Sequence, residues 1–181
     1  YDNDGNAQGD EFQINSSDIG GNPSNQEPPA LLFDEENGRL LTVFTTSENG
    51  QDIKINSMNI DAAFDHTYST ISDEIEFSSA SRDEYFGHHV DTKPFISSNE
   101  DGNFLVTWTE NTGSITQIYG SITYPNNYDV VPNFKINSYS GGSQDNSISV
   151  GLPSGNYAVF WNGVHSNSGG DLRSKGQILS S

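Results

Sequence analysis

Three short segments of this chain say nearly the same thing. FQINS occupies residues 12–16, FKINS residues 134–138, and a weaker echo, FSSAS, residues 77–81. Internal repetition constrains a fold strongly, because a repeated unit that cannot bury its apolar faces alone must be covered by its neighbours. With Phe12, Phe77 and Phe134 as anchors the repeat lengths are 65 and 57 residues. A second signal follows each anchor: NGRLLTVF (37–44), DGNFLVTW (101–108) and SGNYAVFW (154–161). Gly38, Gly102 and Gly155 align, as do the aromatics Phe44, Trp108 and Trp161.

That second signal reads as a tight turn and a strand. A glycine after Asn, Asp or Ser supplies the positive φ of the turn, and the β-branched and aromatic residues that follow alternate with period two. Phe104, Val106 and Trp108 fall on one face and Leu105, Thr107 and Thr109 on the other. Apolar residues on both faces predict inner strands covered on both sides. A short strand precedes each turn, in PALLFD (29–34), PFISSN (94–99) and SISVGLP (147–153). Another follows, in DIKINSMNI (52–60), SITQIYGSITY (114–124) and DLRSKGQILS (171–180). Each copy thus reads as anchor strand, strand, Gly turn, strand, polar loop, strand, which is the four-stranded antiparallel blade of a β-propeller. No segment carries an apolar helical stripe; the nearest, 61–77, is rich in Thr, Ser and Asp and reads as a loop.

The predicted organisation is a tail and linker at 1–11, repeat 1 at 12–60, an inter-repeat insertion at 61–76, repeat 2 at 77–124, a linker at 125–133 and repeat 3 at 134–181. A chain opening on Tyr1 reads as a mature or excised piece. The fold class expected is all-β and propeller-like, with three blades that stay open or are completed by other copies. Propellers close with about 4 to 8 blades.

FQINS, the Pro29–Leu31 stretch, DGNFLVTW and IYGSITY (118–124) resemble the tandem repeats of very large bacterial and ciliate surface proteins. The resemblance spans most of the chain, although repeat lengths are uneven. It implies a propeller-like fold in an extracellular or cell-surface setting, adhesive or matrix-forming, and carries no catalytic residue.

Composition narrows the partners. The chain has 25 Asp and Glu against 7 Lys and Arg, a formal charge of -18, which repels nucleic acid. With no cysteine it has no disulfide, zinc-thiolate site or thiol nucleophile. No apolar run reaches the roughly 18 residues of a membrane helix, so no membrane insertion is expected.

Candidate chemistry is sparse. Acidic turns are first of all turn residues. The best calcium candidate is DNDGNAQGD, with Asp2, Asp4 and Asp10 as ligands, although no EF-hand spacing is present. His88 and His89 are neighbours on an extended chain and point apart, which does not chelate. Trp108 and Trp161 are expected in the core, leaving Tyr85, Tyr124 and Tyr128 as candidate sugar or partner contacts. No GxSxG elbow or phosphate loop is present. The sequence therefore predicts no enzyme, but a structural or adhesive extracellular module that pairs with copies of itself, head to tail or in a closed oligomer, or engages glycans. A lectin-like domain is the alternative. A polysaccharide-acting enzyme built on a carboxylate pair ranks third.

Overall fold

The computed structural model describes residues 29–46, 52–59, 69–70, 75–76, 94–111, 114–124, 132–164 and 170–180, with backbone pairing alone for the three segments between 52 and 76. The fold is all-β, and the strands among the described residues form three antiparallel sheets in chain order. Sheet I holds β1 (Ala30–Asp34), β2 (Arg39–Thr46) and β3 (Asp52–Asn59), with β4 (Ser69–Thr70) and β5 (Ile75–Glu76) both on the outer edge of β3. Sheet II runs β6 (Phe95–Ser98), β7 (Phe104–Asn111), β8 (Thr116–Thr123) and β9 (Phe134–Lys135). Sheet III runs β10 (Gln144–Gly151), β11 (Tyr157–Val164) and β12 (Leu172–Leu179).

The first two strands of each sheet are joined by the aligned glycine turn. Gly38, Gly102 and Gly155 have φ of 62°, 75° and 77°, a region that residues with a Cβ enter only at a cost. In sheet II the turn is locked by Asn99, whose Oδ1 accepts from the backbone N–H of Asp101 at 3.1 Å and of Asn103 at 3.0 Å. An Asx side chain bonding the backbone two residues on is a turn-forming device in its own right.

The phase of the repeat differs from the expected one. FKINS does not open the third blade; its Phe134 and Lys135 pair with Gly120 and Tyr119 and close sheet II. Ile136 is buried there, and Asn137 fastens the strand by accepting from the Ile118 N–H at 2.7 Å and donating to Gln117 Oε1 at 2.8 Å. The 61–76 insertion differs too: two of its segments pair with the outer edge of sheet I. A two-residue edge strand needs only backbone partners and leaves no side-chain alternation to read.

The sheets stack face to face, and the period-two pattern of β7 explains how. Phe104, Val106 and Trp108 meet Leu41, Val43 and Ile96 in one cluster between sheets I and II. On the opposite face, Leu105 joins Ile118, Ile122, Ile136, Tyr157, Val159 and Trp161 between sheets II and III. Both tryptophans are core residues, as expected, with Trp108 1% and Trp161 6% exposed. Each sheet thus has a rear face toward the preceding sheet and a forward face toward the following one. The innermost strands β1, β6 and β10 each begin a sheet.

Candidate functional site

The innermost strand β10 meets sheet II through oxygen, whereas β1 and β6 meet through carbon at Leu32 and Ile96. Ser149 and Ser97 hydroxyls lie 2.7 Å apart, the Ser147 hydroxyl donates to Thr107 at 3.1 Å, and the Thr109 hydroxyl donates to Asp145 Oδ1 at 3.1 Å. This ladder runs along β10 from the glycine turn to the far end of the sheets, and Asp145 is its terminal rung. The chain departs from regular structure at that rung. A bulge falls between Asp145 and Ile148, and Asn146 has φ of 55°. A bulge adds a residue to one strand and re-aims the side chains beside it, and such features gather near working sites.

The local sequence accounts for this geometry. Asn tolerates the left-handed region better than most residues because its short amide bonds locally. Here the Asn146 backbone N–H donates to Asp145 Oδ1 at 2.7 Å, and its Nδ2 donates to Asp145 Oδ2 at 3.2 Å. With Thr109, donors meet both oxygens of the half-buried carboxylate and fix its plane. Behind it stands a plate of buried amides. Gln117 Nε2 and Gln144 Nε2 both donate to Gly142 O, at 3.4 and 2.8 Å, while Gln144 Oε1 accepts from Trp161 Nε1 at 2.9 Å and Lys175 Nζ at 3.1 Å. Asp145 is therefore a carboxylate oriented on a rigid support at the open end of an innermost strand. Its signal in the sequence is the Asp-Asn pair at a strand start, which reads equally well as turn chemistry.

A concavity lies at the glycine-turn end, between sheets I and II. This cleft of 430 Å³ is lined in part by Asp34, Glu35, Glu36, Ser98, Asn99 and Glu100. Asp34 is committed to structure: its Oδ2 accepts from Arg39 Nε at 2.6 Å and Asn37 Nδ2 at 2.9 Å, and the Arg39 guanidinium lies 5.9 Å from the centre of the Phe104 ring. Burial by itself would raise the Asp34 carboxyl; the Asn37 and Arg39 hydrogen bonds and the Arg39 charge outweigh it and hold the group below its ordinary 3.8. A carboxylate kept ionised and paired suits anchoring a turn and not donating a proton. Nearby, Tyr157 donates its hydroxyl to Asn103 O at 2.8 Å, and burial first, then the charge of Asp101, pushes its ionisation well above the usual phenol range.

Most of the residues singled out from sequence as candidate ligands or contacts lie outside the described part of the chain. Asp2, Asp4 and Asp10, the calcium candidates, and Tyr85 and Tyr128 lie outside the described residues, as do His88 and His89. Tyr124 is 41% exposed and follows the end of β8 nearest the glycine turns, at the opposite end of the sheets from Asp145. Among the described residues no group of three or more His, Asp or Glu is placed to hold a metal ion.

No family model and no curated protein matches the chain. Solved structures do. A Penicillium chrysogenum α-L-arabinanase, solved with arabinobiose, superposes with a TM-score of 0.58 at 14% identity, over 84% of this chain and 46% of that one. A Parabacteroides distasonis protein, provisionally described as a glycoside hydrolase, superposes with a TM-score of 0.51 at 10% identity, over 84% and 51%. At such identities the likeness is one of fold, and the fold is that of a β-propeller. The chain spans about half the length of these structures.

These matches correct the leading functional expectation. The sequence pointed to a non-enzymatic structural or adhesive module; the solved structures that share the fold are instead an arabinanase and a protein provisionally described as a glycoside hydrolase. The reason for the miss is physical. Repeat motifs such as DGNFLVTW encode turns and blade packing, which a hydrolase needs as much as an adhesin, while a single Asp at a strand start has no spacing to announce it.

Proposed function

We propose that this chain is a polysaccharide-acting glycoside hydrolase unit, with Asp145 as one of its working carboxylates and polymers containing α-L-arabinose as the first substrate class to test. The observation that carries the reading is the bulged start of β10, where Thr109 and Asn146 orient the Asp145 carboxylate at one end of the propeller's innermost strands. Glycoside hydrolysis takes two carboxyl groups across the scissile bond, and an oriented one can act as base, nucleophile or electrostatic support. Glu110 follows Thr109 on β7, and Asp171 lies just before β12 at the same end of sheet III. They are the acids to vary beside Asp145. A neutral glycan is also a substrate that a charge of -18 does not repel. A polymeric substrate also suits an extracellular setting.

The test is release of reducing sugar from arabinan, arabinoxylan and xylan by the purified chain. Turnover on an arabinose-containing polymer is expected. Asp145→Asn should lower it by about 10² or more, the scale of a lost acid–base group, with an unchanged circular dichroism spectrum. Absence of turnover on every polymer, or full activity in Asp145→Asn, overturns the reading.

A further inference from the structure

Basic residues are rare in this chain, 7 against 25 acidic ones. Among the described side chains they are Arg39, Lys135, Arg173 and Lys175. Arg39 is committed to Asp34 within sheet I. The other three are gathered on the outer strands of sheets II and III. Lys135 lies on β9, which pairs with the outer edge of β8. Arg173 and Lys175 lie two residues apart on β12 and so share one face of it, the rear face, because Lys175 pairs with the rear-facing Trp161.

The connection from β9 to β10 draws two of these cations to one turn. The Lys135 ammonium donates to Ser140 Oγ at 2.6 Å. The Lys175 ammonium, from the next sheet, donates to Gln144 Oε1 at 3.1 Å and lies 4.8 Å from the centre of the Tyr139 ring. Tyr139 is itself fixed: its carbonyl accepts from Asn137 Nδ2 at 2.7 Å, and its ring lies so close over Gly141 that a Cβ there would collide with it. The ring is nonetheless 37% exposed.

These partners are all neutral. A hydroxyl, an amide oxygen and an aromatic face hold an ammonium in place without cancelling its charge. Among the described residues, none of Lys135, Arg173 and Lys175 is paired with a carboxylate, although acids are in such excess. Each ammonium has three N–H donors and gives one to a protein oxygen, which leaves donors for an incoming anion.

We propose that the Tyr139–Ser140 turn binds a single carboxylate on an otherwise neutral glycan, the uronate side group of a polymer such as a glucuronate-bearing arabinoxylan. Lys135 and Lys175 meet the carboxylate, and the exposed Tyr139 ring meets the sugar beside it. The charge of -18 disfavours a polyanion, whose many charges extend past any local patch. One carboxylate seated on the patch is screened from charges beyond about 8–10 Å. The position also suits the proposed activity. Gln144, which holds Lys175, is the residue before Asp145, and the two strand spacings from β10 to β12 amount to about 10 Å, so one bound glycan can reach both. The site deepens the hydrolase reading and rests on it for the choice of ligand; binding is read without turnover, so the two can fail separately.

The test is affinity electrophoresis of the unaltered chain and of Asp145→Asn through gels containing glucuronate-bearing arabinoxylan, or the same polymer after reduction of its carboxyl groups. Affinity for the acidic polymer is expected to be about tenfold the higher, with the difference lost at high salt. Lys135→Gln and Lys175→Gln should each lower that affinity about threefold, the range of an exposed ion pair, and leave affinity for the reduced polymer unchanged. Lys135 is exposed and bonds Ser140 alone, so Lys135→Gln carries the test even where Lys175→Gln disturbs Gln144. Equal affinity for the two polymers overturns the proposal. So does tighter retention by polygalacturonate or heparin, which would make the patch a general polyanion surface. A carboxylate preference in a chain that turns over no polymer would support the site and remove the hydrolase reading.

Discussion

Gln144 is fully buried and makes four hydrogen bonds, so it offers a quantitative test of how the end of the stack is held together. Gln144→Leu nearly conserves volume but removes the acceptor of the Trp161 indole N–H, at 2.9 Å, and of the Lys175 ammonium. Lys175 is only part-buried and can turn to water. Trp161 is 6% exposed, so its N–H is orphaned at a cost of about 1–3 kcal/mol. The carbonyls of Gly142 and Val164 lose a donor as well, bringing the expected total to about 3 kcal/mol. In a chain of this size that lowers Tm by roughly 6–12 °C. Trp161→Phe removes the donor instead, and its cost is mainly the lost ring volume. Once the N–H is absent, Gln144→Leu should cost about 1–2 kcal/mol less than it does alone. Urea unfolding of the four proteins, followed by circular dichroism, measures that coupling. Additivity within about 0.5 kcal/mol would refute the claim that this hydrogen bond is what places Gln144 in the core.

Two further outcomes follow from sheet packing and from charge. Gly120→Ala should destabilise by about 1–3 kcal/mol through overpacking against Ile136 Cδ1, and Ile136→Val, which lacks that atom, should recover part of the loss in thermal melts. The folded Asp34 carboxyl lies below its unfolded value of 3.8, so its contribution is fully present above that pH and is lost as pH falls through the lower folded value. Stability measured between pH 7 and pH 2 should therefore fall less steeply at the acid end in Asp34→Asn than in the unaltered chain, and equal slopes would count against the Asp34–Arg39 pair as its source.

Much of the fold was legible because blade packing writes itself into side chains. The Gly38, Gly102 and Gly155 turns and the alternation of Phe104, Val106 and Trp108 needed only period two and the geometry of positive φ. The assignment of FKINS to its own blade went astray for a reason of the same kind: the anchor is conspicuous because Ile136 and Asn137 are buried, and burial alone does not say against which sheet. Backbone pairing of Phe134 with Gly120 decides it, and backbone pairing leaves no mark on sequence. The site was less legible still. Asp145 is made special by a bulge and by donors from Thr109, thirty-six residues earlier in the chain, and neither is visible along a strand of polar residues.

The division between oxygen and carbon in this stack joins its stability to the proposed activity. Where β10 meets sheet II, Ser149, Ser147 and Asp145 take hydroxyl partners, while the apolar cluster between sheets II and III lies on β7, β8 and β11 and at Ile136. Hydroxyl pairs contribute little net free energy each, about 1 kcal/mol, so the innermost strands depend on the clusters for their position. The result is a polar seam between β10 and sheet II that ends at Asp145 and holds its carboxylate without stranding it. An apolar residue at Ser147 or Ser149 would pack more tightly and leave Thr107 or Ser97 unpartnered. It would also surround Asp145 with carbon.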